Sequence, residues 1–279
     1  MSRKRRLLLL FLIGCSSTAA AAHSFSDTLF PFGRYQLKAL IAGEFSQIEP
    51  DLFGHVLAIR KTGQLVKYAP NGDSLTAFND LKRYGQPQSI DAHNPLRILL
   101  FYERYATVVG LDKLLIQRNQ WNLREKNLFF THAVANAYDN QLWVYDGAEA
   151  KLKKFNEQWR LLLESADLRL LSGESPKPTC ILQTNEQVIA YDPAIGFLFF
   201  DLYGGFQKII RLTGWHSVGY FEGWLYGIDE KQLRLYQPGS LIERTVPLPA
   251  DWQSVQQIRI IGKTLALLFE KSIAIYHLP

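Results

Sequence analysis

The amino-acid sequence predicts an all-β fold, a six-bladed β-propeller, and three observations predict it. From residue 34 onward the chain consists of apolar runs of five to seven residues punctuated by Gly, Asn, Asp and Pro, and no segment sustains a long helical period. A hairpin of two such runs occurs six times at a spacing of about forty residues, the length of a four-stranded propeller blade. The ends complement each other: the sixth hairpin stops one strand short of a blade, and a lone strand precedes the first.

Taken in order, the hairpins read HVLAIR with QLVKYAP (55–70), RILLFYE with ATVVGLD (97–112), QLWVYD with AKLKKFN (141–156), QVIAYD with GFLFFD (187–201), WLYGID with QLRLYQP (224–238) and TLALLFE with SIAIYHLP (264–279). Their anchor residues Tyr68, Leu111, Phe155, Phe200, Tyr236 and Tyr276 are spaced by 43, 44, 45, 36 and 40 residues. A strand-only unit of this length cannot bury both faces without neighbours, so the units pack side by side. Tyr35–Ile41 (YQLKALI) is the strand without a blade, and pairing it with the last hairpin closes the ring and removes an exposed edge. The alternatives are a β-sandwich or a two-domain β protein. Arg60, Glu103, Asp146, Asp192, Asp229 and Glu270 fall between the two strands of each hairpin, and the five acids are read as turn formers, since Asp can bond its own backbone and end a strand. Gly219, Gly223 and Gly227 have turn and close-packing positions in a strand-rich stretch.

The 279 residues carry a formal net charge of +5 and are 47% hydrophobic, which suits a globular core and argues against a disordered, collagenous or polytopic membrane chain. Four of the 31 basic residues are Arg3, Lys4, Arg5 and Arg6, which leaves 27 against 26 acidic residues in the remainder. A near-neutral body lacks the basic stripe that phosphate neutralisation requires, so nucleic acid is not an expected partner. The four cations precede the apolar stretch Leu7–Ile13, too short for the about 20 residues of a membrane-spanning helix, and the pattern is that of a secretory signal.

Leu12-Ile13-Gly14-Cys15 resembles the bacterial lipobox, which implies cleavage before Cys15 and a lipid on that residue. Ordinary signal cleavage after Ala22 is the alternative. The expected organisation is a lipoprotein signal peptide (1–14), a tether (15–33) and a single propeller (34–279). Ser16 lacks the aspartate associated with inner-membrane retention in some bacteria, which favours the outer membrane. Cys180 is then the only other thiol, so the body has no internal disulfide to form and must be stabilised by its core.

Once the blades are laid out, Val66-Lys67-Tyr68-Ala69-Pro70-Asn71-Gly72 resembles the third-strand motif of six-bladed propellers of the NHL/TolB-like kind, and residues 152–159 match it without the glycine. Residues 90–102 followed by 108–112 also resemble a group of uncharacterised bacterial propeller lipoproteins. The resemblance spans most of residues 35–279 and implies architecture, with no assigned activity.

In such a fold the innermost strands line a central channel. These strands are expected to start near Gln47, Ser89, His132, Cys180, His216 and Gln257, which lie 12 to 14 residues before the hairpin turns and form a polar ring at one channel mouth. His132, Cys180 and His216 come from consecutive blades and have the donor types for zinc or copper. A one-residue slip of register would turn any of them to the other face, and a polar ring is also ordinary channel lining. Glu49, Asp91 and Asn136 lie near the ring, but the ring itself lacks the carboxylates of a calcium site. Neither a G-x-S-x-G turn nor an H-E-x-x-H helix occurs, and no cofactor is expected.

Asn119–Phe129 and Ser165–Pro178 are longer than a tight turn requires, and Trp121, Arg124, Arg169 and Lys177 are their candidate binding residues. Trp215 and Trp252 are the tryptophans expected to depart from plain blade packing. Two functional readings follow. One is a non-catalytic recognition or assembly module, lipid-anchored to a bacterial envelope membrane and binding an envelope protein. The other is an envelope enzyme or small-ligand binder at the channel mouth, with or without a metal.

Overall fold

The computed structural model describes residues 28–30 and 33–278. The signal segment, Cys15 and the first part of the tether lie outside the described residues. The chain opens with β1 (Thr28–Phe30) and β2 (Gly33–Ala42) and then builds four-stranded antiparallel sheets in sequence. Blade 1 is β3 (Phe45–Pro50), β4 (Val56–Arg60), β5 (Leu65–Tyr68) and β6 (Ser74–Phe78). Blade 2 is β7 (Ser89–Asp91), β8 (Ile98–Tyr102), β9 (Thr107–Leu111) and β10 (Gln117–Asn122). Blade 3 is β11 (Thr131–Asn136), β12 (Leu142–Asp146), β13 (Lys151–Phe155) and β14 (Leu161–Glu164). Blade 4 is β15 (Cys180–Gln183), β16 (Gln187–Asp192), β17 (Gly196–Asp201) and β18 (Phe206–Ile210). Blade 5 is β19 (His216–Phe221), β20 (Trp224–Asp229), β21 (Gln232–Gln237) and β22 (Ile242–Pro247). Blade 6 is β23 (Gln257–Ile261), β24 (Thr264–Leu268) and β25 (Ser272–His277), completed by β2 and bordered by β1.

The six-bladed propeller expected from the hairpin repeat is therefore the observed fold, and each predicted hairpin is the middle pair of a blade. Its cause is visible in the central strands. In β8, Ile98, Leu100 and Tyr102 pack against blade 1, while Leu99 and Phe101 pack against blade 3. The strand ILLFY is buried throughout because a period of two sends alternate side chains to two neighbouring sheets. The same division recurs around the ring, giving six apolar seams, one between each pair of adjacent blades.

Ring closure follows the expected route: β2 pairs antiparallel with β25, from Gln36 opposite His277 to Ala42 opposite Ser272. The structure adds one strand. Thr28 pairs with Tyr35 and Phe30 with Gly33, so β1, within the expected tether, forms the outer border of blade 6.

Two of the five turn acids singled out in the sequence accept hydrogen bonds from nearby backbone, and the same chemistry occurs at other positions. Asp146 Oδ1 accepts from the Ala148 amide at 3.0 Å, and Asp192 Oδ1 from the Ala194 amide at 2.7 Å. Asp51, Asp112 and Asp201 do the same on other turns, each accepting from the backbone amides two and four residues on. Asp146 also receives Lys153 Nζ at 2.8 Å, which pairs a buried ammonium within blade 3. A Cβ on Gly219 would lie 2.2 Å from the Tyr226 hydroxyl, so this glycine is a close-packing position as expected.

Phe200, fully buried in the seam between blades 3 and 4, tests this packing scheme. Phe200→Ala is expected to lower the unfolding free energy by about 3–5 kcal/mol in chemical denaturation. Leu162→Ala on exposed β14 is expected to change it by no more than about 0.5 kcal/mol.

Candidate functional site in the central channel

The antiparallel order puts the start of each innermost strand and the hairpin turn of its blade at one end of the propeller. The turns that leave the innermost strands lie at the other end. A cavity of about 180 Å³ runs along the channel between them, lined by residues of all six innermost strands. Gln47, Ser89 and Cys180 of the predicted ring line it. Cys180, His216 and Gln257 line a second cavity of about 340 Å³ beside Trp215 and Tyr191, at the end where the innermost strands begin.

His132 lines neither cavity. A register shift between Thr131 and Ala133 in β11 displaces it, and its ring lies 6.4 Å from that of Tyr145. The expected grouping of His132, Cys180 and His216 is thus not assembled, and no cluster of three His, Cys, Asp or Glu side chains suited to a metal occurs among the described residues. Burial in the channel pushes the Cys180 thiol up to about 11, with nearby Glu49 adding to the effect and Arg259 opposing it. A thiol that stays protonated is a poor metal ligand and a poor nucleophile. Burial also holds His216 below the usual imidazole range, against the pull of Asp229.

The dense chemistry lies two residues further along three of these strands, on the same face. Glu49 follows Gln47, Asp91 follows Ser89 and Arg259 follows Gln257, as a period of two requires. Arg259 Nε donates to Glu49 Oε2 at 2.9 Å, joining blades 6 and 1, and Arg259 Nη1 donates to Ser217 Oγ of blade 5 at 3.0 Å. Asp91 Oδ2 accepts from the Asn136 amide at 2.6 Å, joining blades 2 and 3. Gln257 is committed to structure: its Oε1 accepts from the Ile48 amide at 2.7 Å. Burial is the main cause that pushes Glu49 up to about 7, assisted by Asp91 and opposed by Arg259. Glu49, Asp91 and Asn136 were visible in the sequence only as neighbours of the ring.

The loop candidates separate. Trp121 is buried, donates Nε1 to the Glu157 carbonyl at 3.1 Å and carries the Arg97 guanidinium over its ring at 5.4 Å, so it is a packing residue. Arg124, Arg169 and Lys177 are exposed. Arg169 is held by Asp167 at 2.6 Å, and the Lys177 amide donates to Asp192. Trp215 and Trp252 are both buried in blade seams, contrary to the expectation that they depart from packing.

A ring of six antiparallel blades around a polar channel defines the class: a six-bladed β-propeller. No family model and no curated relative matches the chain. Among solved structures it is similar to virginiamycin B lyase from Staphylococcus aureus, with a TM-score of 0.64 at 10% identity over 88% of this chain and 100% of that one. It is also similar to a streptogramin B lyase, with a TM-score of 0.59 at 12% identity over 83% and 78% of the two chains. The Cps50 (Swd1) propeller domain of Myceliophteria thermophila is similar with a TM-score of 0.60 at 10% identity over 88% of this chain and 100% of that one. At such identities the likeness is one of fold.

Two measurements check the electrostatics. A carboxyl raised from 4.5 to about 7 on folding stabilises the fold fully below pH 4.5 and loses that contribution as the pH rises through 7. Glu49→Gln is expected to remove this decline, on the order of 3 kcal/mol, from a pH series of unfolding free energies. In a Cys15→Ser background, iodoacetamide is expected to modify Cys180 at pH 8 at least about tenfold more slowly in the folded than in the unfolded chain.

Proposed function

We propose that this propeller is a non-catalytic recognition module of a bacterial envelope, anchored through a lipid on Cys15 and binding an envelope protein. The sequence pattern Leu12-Ile13-Gly14-Cys15 supports the anchor. No helix among the described residues is long and apolar enough to cross a membrane. One observation carries the recognition reading: an exposed apolar crescent at the end of the propeller where the innermost strands stop. Leu52 and Phe53 of the β3–β4 turn, Leu96 of the β7–β8 turn and Tyr138 of the β11–β12 turn are 58 to 69% exposed.

These side chains sit on held turns of three consecutive blades. Asp51 Oδ1 accepts from the Phe53 and His55 amides, and Asn94 Nδ2 donates to Asn140 Oδ1 at 2.8 Å, tying the blade 2 turn to that of blade 3. Arg97 also reaches the Asn140 carbonyl. Aromatic and aliphatic anchors fixed on a rigid scaffold bind with little ordering cost, which is how the centres of protein interfaces obtain their affinity.

Co-purification of the tagged full-length protein from its own membranes in mild detergent tests the reading. A stoichiometric partner is expected, lost on Phe53→Ser/Tyr138→Ser with the unfolding midpoint unchanged, and Cys15→Ser is expected to release a folded chain from the membrane fraction. Retention of the partner by the double variant would refute recognition by the crescent. A second reading, a small-ligand binder acting in the channel, is favoured by the cavity between Glu49, Asp91 and Arg259.

A further inference from the structure

The channel cavity contains hydrogen-bonding groups that the protein does not use. Asn136, only 5% exposed, spends Nδ2 on the Arg97 carbonyl at 3.2 Å, which leaves Oδ1 as a buried acceptor without a partner. Gln183 is the reverse case. Its Oε1 accepts from Trp143 Nε1 at 2.7 Å, so Nε2 is a buried donor without a partner. Both amides are oriented by their occupied ends, and both line the same cavity. Leaving such groups unsatisfied costs free energy unless something in the cavity bonds to them.

The charges are also unbalanced. Glu49 and Asp91 face a single guanidinium, Arg259, and Arg259 uses Nε and Nη1 on Glu49, Ser217 and the Ile258 carbonyl. Among the described residues no hydrogen bond engages Glu49 Oε1 or Arg259 Nη2. A neutral polyol would bond to the amides but leave a carboxylate uncompensated in a confined space. A cationic solute with an ammonium and, a few bonds away, a neutral carbonyl satisfies both requirements, whereas the carboxylate of a zwitterion would restore the excess negative charge. Ile90, Ile181 and Val218 line the cavity between the polar groups, as a short apolar side chain needs.

We infer that the channel binds a small amino-amide-like cation, its ammonium held by Glu49, Asp91 and Asn136 Oδ1 and its carbonyl met by Arg259 Nη2 and Gln183 Nε2. This rests on the small-ligand reading of the channel and is independent of the apolar crescent. The cavity far exceeds the ~10–15 Å³ a single water requires.

Isothermal titration of the full chain with glycinamide, L-alaninamide and L-serinamide, with D-glucose and acetate as comparators, tests the inference. Saturable binding of at least one amine probe is expected, with neither comparator binding. Glu49→Gln, nearly isosteric and checked for an unchanged cooperative melt, is expected to weaken the amine at least tenfold. A readout on the unmodified protein guards against a variant that misfolds. Arg259, Asp91, Cys180 and Tyr226 face Glu49 from four other blades, and His93 lines the same cavity. An ammonium beside Glu49 holds it ionised, so binding near pH 6.5 is expected to release protons, seen as a dependence of the heat on buffer ionisation enthalpy. Binding of glucose without the amines would overturn the amino-amide class and leave the small-ligand reading standing. No binding by any probe would overturn both, and amine binding unaffected by Glu49→Gln would overturn the assigned site.

Discussion

Everything in this molecule depends on sheets that are apolar on both faces. An isolated blade would expose both sets of side chains that β8, β12, β16, β20 and β24 carry, and adding a second blade buries one face of each and leaves the outer two exposed. A closed ring is the arrangement that leaves no terminal face, and the pairing of β2 with β25 completes it. The blade seams account for nearly all the large buried side chains, from Phe45 to Tyr276. The channel is what remains where six inner strands converge without enough bulk to fill the axis.

That origin explains how far the sequence could be read. The middle strands of each blade were legible because burial on both faces leaves a continuous apolar run between turn residues. The outermost strands were not: β6, β14 and β22 are short and largely exposed, with compositions such as SLTAF and IERTVP that carry no core signal. The closing strand was legible because YQLKALI had no partner within its own neighbourhood.

The channel was half legible, and the reason is local. The innermost strands β3, β11 and β19 each have a register shift near their start, at Phe45/Gln47, Thr131/Ala133 and His216/Gly219. A bulge changes which side chains face the axis and leaves little trace in composition. Counting back from the hairpin turn located the start of β7, β15, β19 and β23, yet misdirected His132. The carboxylates and guanidinium that line the channel follow the alternation of their strands, so Glu49, Asp91 and Arg259 were within reach of the sequence but not distinguishable from ordinary strand residues.

The placement of Glu49 and Arg259 has a thermodynamic corollary. One stands on the first blade and the other on the last, directly across the seam that forms only when β2 joins β25, and the Ile48 amide to Gln257 bond crosses the same seam. The two halves of the candidate site therefore come from regions of chain that meet only in the closed ring. Any solute that grips both acts as a clasp on that ring, and by mass action its occupancy and the integrity of the seam rise and fall together. Conversely, a fluctuation that parts blades 1 and 6 separates Glu49 from Arg259 and dismantles the site, although neither residue has moved within its own blade.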